Sequence, residues 1–136
     1  MKYLTIILFA LIFASCATQH NVQIKHDKQA EKSADNDSTS YELVVLDPGF
    51  DSWYAINSKP SWYHSQDYYE YWNQRYVQAW NYDYQGGRYS KVLETYIDYD
   101  PNVDYGLELN HKLFYYFQYV VHGLYIPLIS DGPRTY

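Results

Sequence analysis

An apolar run, LTIILFALIFA from Leu4 to Ala14, opens the chain behind the positive charge of Lys2 and closes on the small residues Ala14 and Ser15. Charge, apolar block and small residues in that order are the layout of a secretory signal, expected here over residues 1–15. The run falls well short of the roughly 20 apolar residues that a spanning helix needs. From Ala17 to Ser40 the pattern is polar, with no Phe, Trp or Tyr. Such a segment buries too little apolar surface to offset its ordering entropy, so residues 16–40 are expected to be a disordered tether, with His20 and His26 as solvated linker residues.

At Tyr41 the pattern changes. YELVVLD, stopped by Pro48-Gly49, predicts a strand and a turn, and SWYAINSKPSWYH is expected to be irregular because Pro60 bars a regular element through it. Ser65 can cap a helix that carries Asp67 in its first turn. From Gln66 to about Tyr82, the residues Tyr69, Trp72, Tyr76, Ala79 and Trp80 recur at helical spacing opposite Glu70, Gln74, Gln78 and Asn81, and Gln85-Gly86-Gly87 ends the element. RYSKVLETYIDYD, Arg88 to Asp100, alternates in a way that favours a strand, although a helical pattern survives in it. After Pro101, Asp104 can cap a second helix whose apolar stripe is Leu109, Leu113, Tyr116, Phe117 and Val120, with Gly123 as its stop. LYIPLI then reads as a short edge strand, since Pro127 cannot donate within a sheet. The expectation is an α+β fold, one small domain over residues 41–136 with two main helices packed on a short sheet of about three strands.

Composition sharpens this plan. Eighteen of the 19 tyrosines and all four tryptophans lie from Tyr41 onward, in 96 residues, enough for one core without disulfides. The formal charge of −6 becomes −7 without the signal segment, and no Lys/Arg cluster is present. Nucleic acid is thereby excluded as a partner, because phosphate binding is driven by clustered cations. No internal repeat is visible.

Cys16 is the only cysteine, so it has no disulfide partner, and beside a polar tether it has neither the base nor the pocket that a catalytic thiol needs. The junction Ala14-Ser15-Cys16 resembles the lipobox of bacterial lipoproteins, departing from it at Phe13 where that motif usually has Leu. The resemblance implies that Cys16 is acylated, becomes the first residue of the mature chain and attaches it to a membrane. The stretches YELVVLDPGFDSWY, YYEYWNQRYVQAWN and YIDYDPNVDYGLELNHKLFYYFQYV together resemble a family of small, tyrosine-rich bacterial lipoproteins known only as a domain of unknown function, over residues 41–126. That resemblance implies lipobox, tether and one aromatic domain, and carries no catalytic residues. Ala17 rather than Asp after the cysteine implies the outer membrane, on its periplasmic face or at the cell surface.

Two candidate sites emerge. In DYDPNVD, Asp98, Asp100, Asn102 and Asp104 stand at the alternate positions that open a calcium loop, although Val103 replaces the required glycine and Leu109 the bidentate glutamate. The plainer reading is a solvated turn with Asp104 as a cap. Trp53, Tyr54, Trp62 and Tyr63, in an expected loop, could stack against sugar rings, whereas Trp72, Tyr76 and Trp80 fit a helix core by their periodicity. His64, His111 and His122 lack zinc spacing, and no nucleophile elbow, P-loop or dinucleotide fingerprint is present. The expectation is therefore a non-enzymatic lipoprotein without cofactor, docking on an envelope protein, with glycan binding by the loop aromatics as the alternative.

Overall fold

The computed structural model describes residues 19–26 and 40–134. The expected signal segment, Cys16 and most of the expected tether lie outside the described residues. The tether expectation is corrected where it can be seen: Asn21–His26 is a strand, β1, paired antiparallel with β2, Tyr41–Leu46, in the register Asn21↔Leu46 to His26↔Tyr41. Period-2 alternation explains the pairing. Val22 faces Val45 and Ile24 faces Leu43 across the ladder, and Val22 and Leu43 are buried in the core. The composition of the segment as a whole concealed this short apolar alternation.

Phe50–Asn57 is a helix, α1, which takes in the first part of the stretch from Ser52 to His64 expected to be irregular. Pro60 does not disturb it, because the helix stops three residues earlier. Asp47 starts it, its backbone carbonyl accepting from Phe50 N at 3.1 Å and its carboxylate from Gly49 N at 3.0 Å. A single 3₁₀ turn, Ser61–Tyr63, leads to α2, Gln66–Gln85, where Ser65 accepts from Tyr68 N at 3.2 Å as the sequence predicts. Gly87, at φ 69°, ends α2 in the left-handed conformation, with Arg88 N bonded to Asp83 O and Gly87 N to Tyr84 O.

The third helix, α3, spans Leu107–Gln118 and runs on as a π-helical turn, Tyr119–Gly123. Gly106 rather than Asp104 takes its N-cap position; Asp104 closes the turn before it, accepting from Gly106 N at 2.9 Å and Gln66 Nε2 at 2.8 Å. Every residue from Leu113 to Val120 is buried, so α3 is the central helix, packed on α2 and touched by α1 and β2.

Among the described residues the sheet has two strands, not three. Arg88–Asp100 does not form a strand because side chains of α2 take its backbone groups. Trp80 Nε1 donates to Thr95 O at 2.7 Å, and the Asn81 amide both donates to Ile97 O and accepts from Ile97 N, each at 2.9 Å. LYIPLI is not an edge strand either. Its alternation is real, with Ile126 and Leu128 buried and Tyr125 and Pro127 exposed, but it lies directly against the core without a ladder partner.

A chain beginning at Tyr41 loses buried Val22 and the β1 ladder, and is expected to be less stable than one beginning at Gln19 by about 3 kcal/mol, from the apolar area alone. Urea unfolding of the two chains measures this; equal stabilities would show that β1 contributes nothing.

Candidate functional site

The interior combines aromatic rings with a few polar groups, several of them tied to a specific partner, while the buried Tyr69 and Tyr116 hydroxyls have none among the described residues. His111, on α3, bonds through Nε2 to Lys59 O at 2.8 Å and through Nδ1 to the Tyr54 hydroxyl at 2.9 Å. A carbonyl only accepts, so Nε2 carries the proton and Nδ1 accepts from Tyr54. Burial pushes His111 below the usual imidazole range and Tyr54 above the usual phenol range, the latter with help from the Glu108 charge. His111 is thus a neutral tie between α1 and α3, enclosed by the rings of Tyr69 and Tyr115 at 5.2 and 4.8 Å.

Between α2 and α3, Asn73 Nδ2 donates to Asn110 O at 2.8 Å, Asn110 Nδ2 donates to Glu70 at 3.2 Å, and Tyr99 donates to Asn110 Oδ1 at 3.0 Å. Burial, and then the Glu70 charge, raise the Tyr99 hydroxyl far above its ordinary value. Two turns further along α3, Gln118 Nε2 donates to the Tyr76 hydroxyl at 3.1 Å. Where α3 passes into its π-helical turn, buried Asp47 accepts from Gly49 N and from the Tyr119 hydroxyl at 3.1 Å, and pairs with His20 Nδ1 at 2.6 Å. His20 is therefore a docked residue, and His26 packs its ring on Tyr41 at 4.7 Å. Neither is a free linker residue.

The four aromatics expected to form one platform are divided. Trp53 and Tyr54 are neighbours on α1 and so point about 100° apart. Tyr54 turns inward to His111, while Trp53 packs on Tyr119, ring to ring at 5.7 Å, and lines a surface cleft. Trp62 and Tyr63 lie on the 3₁₀ turn, 76% and 55% exposed. Trp80 and Tyr76 are core as periodicity indicates, whereas Trp72 is half-buried under the Arg75 guanidinium at 4.9 Å. In the acidic turn, Asp100 Oδ1 accepts from both nitrogens of Asn102 at 2.9 Å, so its oxygen serves the turn itself. Among the described residues, no group of three or more His, Cys, Asp or Glu is placed to hold a metal ion.

Two surface features have no single-residue signal in the sequence. An open cleft of about 360 Å³ is lined by Trp53, Asn57, Val121, His122 and Tyr125. A groove of about 350 Å³ runs between α2 and the extended segment after Thr95, with Gln78, Gln85 and Asp98 beside the exposed rings of Tyr82 and Tyr96. Both depend on packing between segments distant in sequence, which periodicity does not report.

Among the described residues these features define a small α+β domain of three helices and a two-stranded antiparallel sheet, with an interior of aromatic rings tied by amides and more aromatic rings outside. The chain belongs to the family of unknown function DUF6146, whose model matches residues 3–130. No curated protein and no solved structure matches it.

Because the folded-state value of His111 is depressed, the unfolded chain takes up a proton that the folded chain refuses. Stability is then full above the unfolded value near 6.5 and falls as pH drops below it, with a slope of up to about 1.4 kcal/mol per pH unit for one site. His64 and His122, also lowered mainly by burial, act in the same direction. Urea unfolding between about pH 7 and pH 5 should show this loss, and His111→Gln should flatten it while lowering overall stability. A slope unchanged in that variant would remove His111 as a source.

Proposed function

We propose that the chain is a lipoprotein of the bacterial cell envelope, acylated at Cys16 and attached to the outer membrane, and that its domain is a non-enzymatic interaction module docking on another envelope protein. Several acyl chains on one cysteine supply stable attachment, at about 0.8 kcal/mol per buried CH2. Among the described residues no helix is long and apolar enough to cross a membrane, so attachment is left to Cys16 on this reading. The observation that carries the docking reading is the surplus of aromatic rings at the surface. Trp62, Tyr63, Tyr71, Tyr82 and Tyr96 are each more than half exposed although the core is already filled with tyrosine. Rings of this kind are the residues that dominate protein interfaces.

Cys16→Ala is expected to leave the precursor uncut or the protein detached from membranes; attachment like that of the wild type would overturn the anchor. Crosslinking of the intact lipoprotein should capture a recurrent envelope partner, lost when Trp62 and Tyr63 are replaced by Ala. A partner retained by that variant would remove this surface.

Glycan binding is the second reading, and the groove beside α2 favours it, since neutral amides and a carboxylate stand next to two exposed rings. Titration of the full chain with peptidoglycan fragments tests it, followed by NMR, with Tyr82→Ala and Tyr96→Ala as variants. Saturable shifts lost in both support a sugar site there; flat titrations refute it.

A further inference from the structure

Chain length restricts where the domain sits relative to its anchor. His20 is four residues beyond Cys16 and is pinned to Asp47, so even fully extended chain leaves Cys16 within about 14 Å of His20. Asp47 in turn holds Tyr119, whose ring carries Trp53. The end of the domain beside Trp53 is therefore the end within reach of the acyl chains.

That end has an unusual surface. Trp53 and Ile56 lie about 60° apart on one flank of α1, with Asp51 turned to the other flank. Ile56 is 82% exposed. Next to Trp53 across the cleft stands Tyr125, 84% exposed and at φ 59°, which ends the α3 segment in the left-handed conformation where α2 uses Gly87. A bulky residue there is strained, and an exposed ring recovers nothing from the core. The other residues lining the cleft, Asn57, Val121 and His122, carry no carboxylate or ammonium group, and burial, then the charge of the nearby Arg134, keep His122 below the usual imidazole range.

We propose that the Trp53, Ile56 and Tyr125 face seats the domain in the headgroup region of the membrane that holds Cys16, an inference that rests on the acylation of Cys16 proposed above. Trp and Tyr favour this region because each has an apolar ring and a polar tip, and Ile56 supplies an apolar contact on the Trp53 flank of α1. An acidic chain gains nothing from anionic lipid, so a contact carried by aromatic and apolar side chains is the one suited to it. With this face down, the remaining surface aromatics are left to partners.

The full acylated protein, reconstituted in phosphatidylethanolamine/phosphatidylglycerol vesicles containing dibrominated lipid, gives a direct reading through tryptophan quenching. The wild type should be quenched, Trp53→Phe should lose most of that quenching, and added salt should leave it unchanged. Tyr125→Gly and Ile56→Ser should each weaken quenching, and Tyr125→Gly should raise Tm by a few degrees because it relieves the left-handed strain. Protein that sediments with vesicles but is not quenched overturns the seated face alone; protein that fails to sediment removes the anchor and the proposal with it. Quenching retained in Trp53→Phe, or a lower Tm in Tyr125→Gly, also overturns the proposal. So does a Trp53 signal that answers to N-acetylglucosamine oligosaccharides and not to lipid, which would make the face a sugar site.

Discussion

Asn73 of α2 donates to the backbone carbonyl of Asn110 in α3 inside a shell of aromatic rings, and the relative placement of the two long helices depends on that bond. Rings alone would let the helices slide, since one aromatic contact is much like another. A buried amide does not allow it: the bond itself contributes about 1 kcal/mol, but separating it strands polar groups that cost about 1–3 kcal/mol each. The Asn110 side chain then reaches Glu70, Gly106 O and Tyr99, so the same residue fixes α2, the start of α3 and the irregular segment before it. Once α3 is in place, His111 receives α1 through Tyr54.

Tyrosine explains how so few strands suffice. The hydroxyls of Tyr105 and Tyr115 accept from the backbone N–H groups of Asp100 and Lys59, each at 3.0 Å, where another fold would use a ladder partner. The rings meanwhile fill the core, edge to face at Phe50 and Tyr116, and stacked at Tyr76 and Phe117 with centroids 5.1 Å apart. Each such side chain supplies apolar area and one hydrogen-bonding tip.

The same arrangement separates two kinds of surface. At one end of the domain, His20 bonds to Asp47, Asp47 accepts from Tyr119, and the Tyr119 ring packs on Trp53, which shares a cleft with the strained Tyr125. Trp62, Tyr63, Tyr82 and Tyr96 lie on other elements. A tethered module in the proposed sense needs this division, with one face toward its anchor and others toward what it meets.

How much of this was legible in sequence follows from the range of each interaction. The helical spacing of Tyr69, Tyr76 and Trp80, the Ser65 cap, the Gly87 stop and the Tyr41–Leu46 strand are local, and they read directly from neighbouring residues. The family resemblance was likewise carried by contiguous stretches. What escaped depended on partners far away in the chain: β1 ordered by β2, the Thr95–Ile97 backbone captured by Trp80 and Asn81, the inward turn of Tyr54 and the docking of His20. Period and composition determined which residues were able to face a core; only tertiary packing decided which tyrosines did, because a phenol satisfies burial, a backbone group or solvent equally well until a neighbour is in place.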